Sequence, residues 1–189
     1  MTVNGYTTST IGTRIVENSG TFTLSRNAIL TGANTNATPW GCALINKGTA
    51  HLRGSITDNT CAGACGAVLQ HSGTLYIYEG TYTGNSATRS VDHSLGPSMG
   101  GFLRVYGGTA YIYGGDFADN STTGNGGAIY VDKEKTAYIT GGTFLDNTAG
   151  QEGNDVYAAG TLNYTSSNVT ASTDGIKGNG TINSDYSGQ

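Results

Sequence analysis

The chain is short of charge, of proline and of long apolar runs. Charged residues make up only 12% of its 189 residues and hydrophobic ones 36%, with 2 Pro. So little charge excludes a charge-solvated disordered tail, and 31 Gly without a three-residue period exclude collagen. Nine scattered Lys and Arg and a net charge of -4 argue against nucleic acid, whose binding needs clustered cations to displace counterions. No stretch reaches the roughly 18 apolar residues of a membrane helix. The N-terminus lacks the charged-then-apolar form of a signal peptide. The 3 Cys are an odd number and match neither a zinc pattern nor Cys-x-x-Cys.

What the chain has is a repeat. The dipeptide Gly-Thr recurs at Gly20-Thr21, Gly48-Thr49, Gly73-Thr74, Gly108-Thr109, Gly160-Thr161 and Gly180-Thr181, with Lys135-Thr136 taking its place once. Successive steps are 28, 25, 35, 27, 25 and 20 residues. The clearest copy reads Gly126-Gly127-Ala128-Ile129-Tyr130-Val131, then Thr136-Ala137-Tyr138-Ile139-Thr140, then Gly141-Gly142-Thr143-Phe144-Leu145-Asp146-Asn147. Each piece is rich in β-branched and aromatic residues and bounded by Gly, Asn or Asp, the pattern of strand, turn, strand, turn, strand. No window keeps helical periodicity.

Alternation assigns the faces. After each anchor, Phe22/Leu24, Ala50/Leu52, Leu75/Ile77, Ala110/Ile112, Ala137/Ile139 and Leu162/Tyr164 form the apolar set of a period-two strand. In the first piece Ala43/Ile45, Leu103/Val105, Ile129/Val131 and Val156/Ala158 are expected inside, with Arg104, Tyr130 and Asp155 outside. Gln70 falls on the inner side and requires a partner there. The third piece supplies Ile56, Tyr82, Phe117 and Phe144 to the interior. No single repeat can bury such residues alone, whereas stacked repeats build one continuous core. The expected fold is therefore all-β, a parallel β-helix with three short strands per coil. One domain is expected over 1–189, with a degenerate first coil at 14–40, regular coils at 41–170 and a clipped last coil at 171–189.

Gly-Gly-Ala-Ile at 126–129, together with Phe-x-x-Asn at Phe117–Asn120 and Phe144–Asn147, resembles the paired motifs of polymorphic outer membrane protein repeats. It is similar also to the wider group of bacterial adhesin-like right-handed β-helix surface proteins. Degraded copies stand at Gly66-Ala67-Val68-Leu69, Tyr82–Asn85 and Ile56–Asn59. The resemblance spans roughly 41–170 and implies a right-handed coil in an extracellular or cell-surface bacterial protein, often adhesive. Nothing matches the membrane barrel that some members carry. On this reading the chain is a fragment of a larger surface protein.

Several columns are candidates for function. Asn59, Asn85, Asn120 and Asn147 close the third strand and are expected to form a structural ladder. Asp58, Asp119 and Asp146, interrupted by Gly84, read as solvated turn residues; Asp119 and Asp146 carry the alternatives of calcium or carboxylate catalysis. Outward aromatics form two columns, His51, Tyr76, Tyr111 and Tyr138 beside Arg53, Tyr78, Tyr113 and Thr140. They are expected to stack between coils, to bind a glycan or protein, or to be covered by another domain or a second protomer, since tyrosine offers apolar area with a polar tip. Ser86–Met99 lengthens one turn and reads as a binding loop, with Arg89, Asp92 and His93 as its candidates. Cys61 and Cys65 flank a Gly-containing corner and are a candidate disulfide, while Cys42 is expected to pack near Trp40.

These observations favour a noncatalytic, adhesin-like surface β-helix that presents a ligand- or host-binding face, with no cofactor. Its expected partner is a surface glycan or protein, without nucleic acid or membrane insertion of this segment. A polysaccharide-degrading β-helix enzyme and a structural spacer or phage tail-type fibre are the alternatives, and fold alone does not choose among them.

Overall fold

A computed structural model describes residues 14–35, 40–94 and 96–187. The parts of the expected domain at 1–13, 36–39, 95 and 188–189 lie outside the described residues. The described residues are all-β, without helix, and wind into a parallel β-solenoid of about six coils.

Two seven-stranded parallel sheets run the length of the solenoid, each in sequence order. The first stacks Val16–Asn18, Leu44–Asn46, Val68–Gln70, Leu103–Val105, Ile129–Val131, Val156–Ala158 and Ile176–Gly178. The second stacks the strands that follow the anchors, from Thr21–Leu24 to Thr181–Asn183. A third face holds Ile29–Thr31 paired with Ser55–Thr57, then Thr81–Thr83, Asp116–Ala118, Gly142–Leu145 and Val169–Thr170. Beyond the three expected strands, five coils add a fourth of two residues, from Asn34–Thr35 to Thr148–Ala149.

The period-two pattern of the second sheet holds: Ala50, Leu52, Leu75, Ile77, Ala110, Ile112, Ala137 and Ile139 are buried in one continuous core. The third face contributes an interior stack in which Tyr82 meets Phe117 at 5.0 Å and Phe117 meets Phe144 at 4.6 Å. Phe102 packs on Tyr82 at 4.7 Å. The buried Tyr82 hydroxyl donates to the Glu79 carbonyl at 2.7 Å, so its one polar group is satisfied.

The first sheet corrects two expectations. Leu44 and Asn46, not Ile45, align with Val68 and Gln70, so Ile45 stands in the outer row with Leu69. It is nevertheless covered, packing with Leu69, Cys65 and Trp40. Asn46 and Gln70 are buried and extend an amide chain. Asn18 Nδ2 donates to Asn46 Oδ1 at 2.7 Å, Asn46 Nδ2 to Gln70 Oε1 at 2.7 Å, and Gln70 Nε2 to the Ser72 carbonyl at 2.8 Å. Asp155, expected outside, is fully buried.

The ladder at the third strand forms as expected. Asn59 Nδ2 donates to Asn85 Oδ1 at 2.9 Å, Asn85 Nδ2 to Asn120 Oδ1 at 3.0 Å, and Asn120 Nδ2 to Asn147 Oδ1 at 3.0 Å. Each amide also takes a main-chain N–H and caps a carbonyl, as Asn120 does for Tyr82 at 2.7 Å. The left-handed backbone sits one residue earlier, on Asp58, Gly84, Asp119 and Asp146, with φ of 55°, 65°, 54° and 53°.

The disulfide joins Cys42 to Cys61, with Cα atoms 5.9 Å apart, and not Cys61 to Cys65. Strand Thr60–Cys61 carries Cys61 into a buried cluster with Cys42 and Ala33. Cys65, beyond the corner, enters the separate cluster of Ile45, Leu69 and Trp40 as a free buried thiol.

Candidate functional site

In-register pairing aligns His51, Tyr76, Tyr111 and Tyr138 along the outer face of the second sheet. Neighbouring strands lie about 4.8 Å apart, so planar side chains at matched positions stack. His51 meets Tyr76 at 5.0 Å, Tyr76 meets Tyr111 at 5.4 Å, and Tyr111 meets Tyr138 at 5.0 Å. Interplanar angles along this column are only 6°, 14° and 6°.

In the adjacent column Tyr78 stacks on Tyr113 at 5.4 Å, and the Arg53 guanidinium lies 4.1 Å over the Tyr78 ring. The columns are tied diagonally by a hydrogen bond between His51 Nδ1 and the Tyr78 hydroxyl, 3.0 Å apart. Glu79 accepts from Arg26 at 2.6 Å and Arg53 at 3.4 Å, and Arg26 foremost holds its carboxyl below the usual range. The expected residues are thus brought together, but with a consequence the sequence does not show. Most ring faces are spent on each other. The stripe offers solvent a row of ring edges and phenolic hydroxyls.

The stack breaks at one end. Tyr138 is followed by Asn163 in its column. In the other column the strand hydrogen bonds place Thr140 beside Tyr113 and Thr165 beyond it. These short side chains leave a cleft of about 750 Å³ lined by Tyr111, Tyr113, Tyr138, Thr140, Thr165, Asn168, Tyr186 and Ser187. Its far wall is Tyr186, tilted 48° over Tyr138 at 5.1 Å. Tyr186 is held there because its amide donates to the Tyr164 carbonyl at 3.2 Å and its carbonyl accepts from the Thr165 hydroxyl. Partial desolvation, with a smaller contribution from neighbouring phenols, raises the pKa of Tyr111 and Tyr113. Both therefore remain protonated donors at neutral pH.

The long turn has a different character from the one expected. Arg89 is folded into it: Nε donates to the Gly96 carbonyl at 2.8 Å and Nη2 to the Pro97 carbonyl at 3.0 Å. The Arg89 amide donates to Ser98 Oγ at 2.9 Å, and Ser98 Oγ donates to the Gly63 carbonyl at 2.6 Å. Arg89 thus organises the loop from within, a correction to its reading as a binding residue. Asp92 and His93 lie on the exposed part of the turn.

Asp58, Asp119 and Asp146 are exposed, and their left-handed φ accounts for the column, because Asp and Gly tolerate that region. Among the described residues no three His, Cys, Asp or Glu side chains gather as a metal site.

A second aromatic face escaped the sequence reading. On the outer side of the first sheet Arg104 aligns with Tyr130, and Tyr130 stacks on Tyr157 at 5.7 Å. Arg104 makes a two-point ion pair with Asp132 at 2.7 and 2.8 Å, and Trp40 meets Tyr106 edge-on at 5.0 Å. The signal was there in Arg104, Tyr130 and Tyr157 at matched positions of successive repeats.

No protein family, curated protein or solved structure matches this chain.

Proposed function

We propose that this β-helix is a noncatalytic, adhesin-like rod of a bacterial cell surface, which presents the outer face of its second sheet to a surface glycan or protein. The observation that carries this reading is the continuous row from His51 to Tyr138, where hydroxyls and ring edges repeat at coil spacing on a rigid scaffold. Rigid tyrosines offer contact area and hydrogen bonding at small entropic cost. The Cys42–Cys61 disulfide supports an oxidising, extracellular location. The exposed Asp column has its explanation in turn geometry, which weakens the polysaccharide-degrading alternative.

The test is binding of the chain to a glycan array and to host cells, with Tyr76, Tyr111 and Tyr138 changed together to Phe and, separately, to Ala. Phe keeps the stack and removes the hydroxyls. We expect the Phe variant to keep its melting temperature and lose at least tenfold in binding. Full binding by both folded variants overturns the assignment of the stripe as the site.

One observation favours a second reading, a purely structural rod: parallel rings at 5.0–5.4 Å stabilise a sheet whether or not anything binds. A structural rod binds neither array nor cells, and its Ala variant loses stability alone.

A further inference from the structure

The column Arg53, Tyr78, Tyr113, Thr140 is a stack with one rung missing. Arg53 covers one face of Tyr78, and Tyr113 covers the other. Beyond Tyr113 the same column continues with Thr140, Tyr111 lies alongside at 6.5 Å, and Tyr113 is 45% exposed. The space that a next ring would fill is the cleft, floored by Thr140 and walled by Tyr138 and Tyr186.

We infer that this cleft is a binding subsite for a neutral pyranose, which takes the place of the missing rung by laying one apolar ring face on Tyr113. The inference rests on the ligand-binding reading of the second sheet and narrows it to one place and one chemical class.

Four features of the cleft select this class. First, it offers the exposed Tyr113 ring, which among the described residues has no ring stacked above it at the next coil of its own column. A pyranose has an apolar C–H face of matching size, and large aromatic surfaces with a polar tip suit such amphipathic partners. Second, the remaining lining is hydroxyl and amide: the phenols of Tyr111, Tyr138 and Tyr186, with Thr140, Thr165 and Asn168. These groups both donate and accept, as the ring of hydroxyls on a sugar requires. Third, none of the described lining side chains carries a charge at neutral pH, so they offer no ion-pair partner that would favour a uronate, a sulfate or an ammonium group over a neutral sugar. Fourth, about 750 Å³ falls within the roughly 300–1,000 Å³ of small-molecule sites. The walls are also preset: Tyr113 is stacked from behind, and Tyr186 is fixed through its main chain.

The experiment is saturation-transfer NMR on the intact chain with methyl glycosides of neutral hexopyranoses and N-acetylhexosamines, and with their β-linked disaccharides. Nitrophenol serves as a flat aromatic competitor. The expected result is transfer concentrated on one face of a pyranose, with Kd on the order of 1 mM for one ring and tighter for two. Thr140→Tyr supplies the missing rung; it should lower affinity at least tenfold while the melting temperature holds or rises. Tyr157→Phe, on the other sheet, should bind like the parent.

Three results overturn the inference: no pyranoside binds, Thr140→Tyr binds undiminished, or nitrophenol alone binds. If the pyranosides fail while array or cell binding still depends on Tyr76, only the cleft assignment falls. If both fail, the ligand-binding reading of the sheet falls with it.

Discussion

Asn147 Nδ2 donates to Asp155 Oδ1 at 2.9 Å, and this bond ends the asparagine ladder. Each amide below passes its N–H to the carbonyl oxygen of the next, so the last donor needs an acceptor that passes nothing on. A carboxylate is acceptor-only. The second oxygen of Asp155 takes the Ser172 amide at 2.7 Å, which pins the following turn to the end of the ladder. The chain thus terminates a buried polar column without leaving a donor unpaired, and each oxygen of the fully buried Asp155 meets an N–H donor.

The ladder should therefore be costly to interrupt. Asn120→Ala removes the acceptor for Asn85 and the donor for Tyr82 and Asn147, leaving several buried polar groups unpaired at about 1–3 kcal/mol each. We expect a loss of roughly 4 kcal/mol or more in urea unfolding, at the upper end for single substitutions. Asp155→Asn, which keeps one acceptor and adds a donor, should cost about 1–3 kcal/mol. Asn163→Ala, in an exposed amide pair with Asn183, should stay within about 0.5 kcal/mol. A cost for Asn120→Ala below that of Asn163→Ala would mean the ladder is ornamental.

The glycines divide sharply by what stands above them. A methyl group added at Gly101 would lie 2.2 Å from the Gly127 carbonyl oxygen, and one at Gly127 would lie 2.1 Å from that of Asn154. These are the stacked glycines of the repeat motif, and the coils approach there through bare backbone. Gly101→Ala or Gly127→Ala should cost about 3 kcal/mol or more, because main chain cannot swing aside. Gly20 has nothing within 4 Å of the same position, so Gly20→Ala should be neutral or gain about 0.4–1 kcal/mol by restricting the unfolded chain. Thermal melts of the three variants test the contrast directly.

The fold was legible because each copy repeats the same phase: aliphatics at Leu75/Ile77 and Ala110/Ile112 announce one face wherever the anchor is found. Phase was lost where the contrast was lost. Cys42-Ala43-Leu44-Ile45 is apolar throughout, so alternation cannot say which side is inner; the pairing of Asn46 with Gln70 decides it. Cysteine pairing was misread because 61 and 65 are close in sequence, whereas the corner between them turns their side chains into different clusters. The tyrosine columns were visible, but ring orientation is a matter of side-chain rotamers. Their faces are largely covered, and the open cleft depends on Tyr186, which lies outside the repeat.

The remaining thiol should reveal itself through pH. Burial pushes the Cys65 thiol up to about 11 from an ordinary 9.0. Below pH 9 the folded and unfolded chains both hold this proton, and the group adds no slope. Between about 9 and 11 the unfolded chain releases it while the folded chain keeps it. The unfolded state then binds fewer protons, and stability falls as pH rises. The full effect approaches 2–3 kcal/mol, at about 1.36 kcal/mol for each unit. Burial also raises Tyr82, which adds a further fall above its ordinary 10.0. Urea unfolding of the parent should accordingly show stability declining from about pH 9, and of Cys65→Ala only from about pH 10, whatever the lost packing does to the plateau. The same burial should protect Cys65 from iodoacetamide at pH 8 in the folded chain, with one equivalent taken up on unfolding. Rapid labelling of the folded chain, or a decline starting at the same pH in parent and Cys65→Ala, would place the thiol in solvent and break the packing of Cys65 against Ile45 and Leu69.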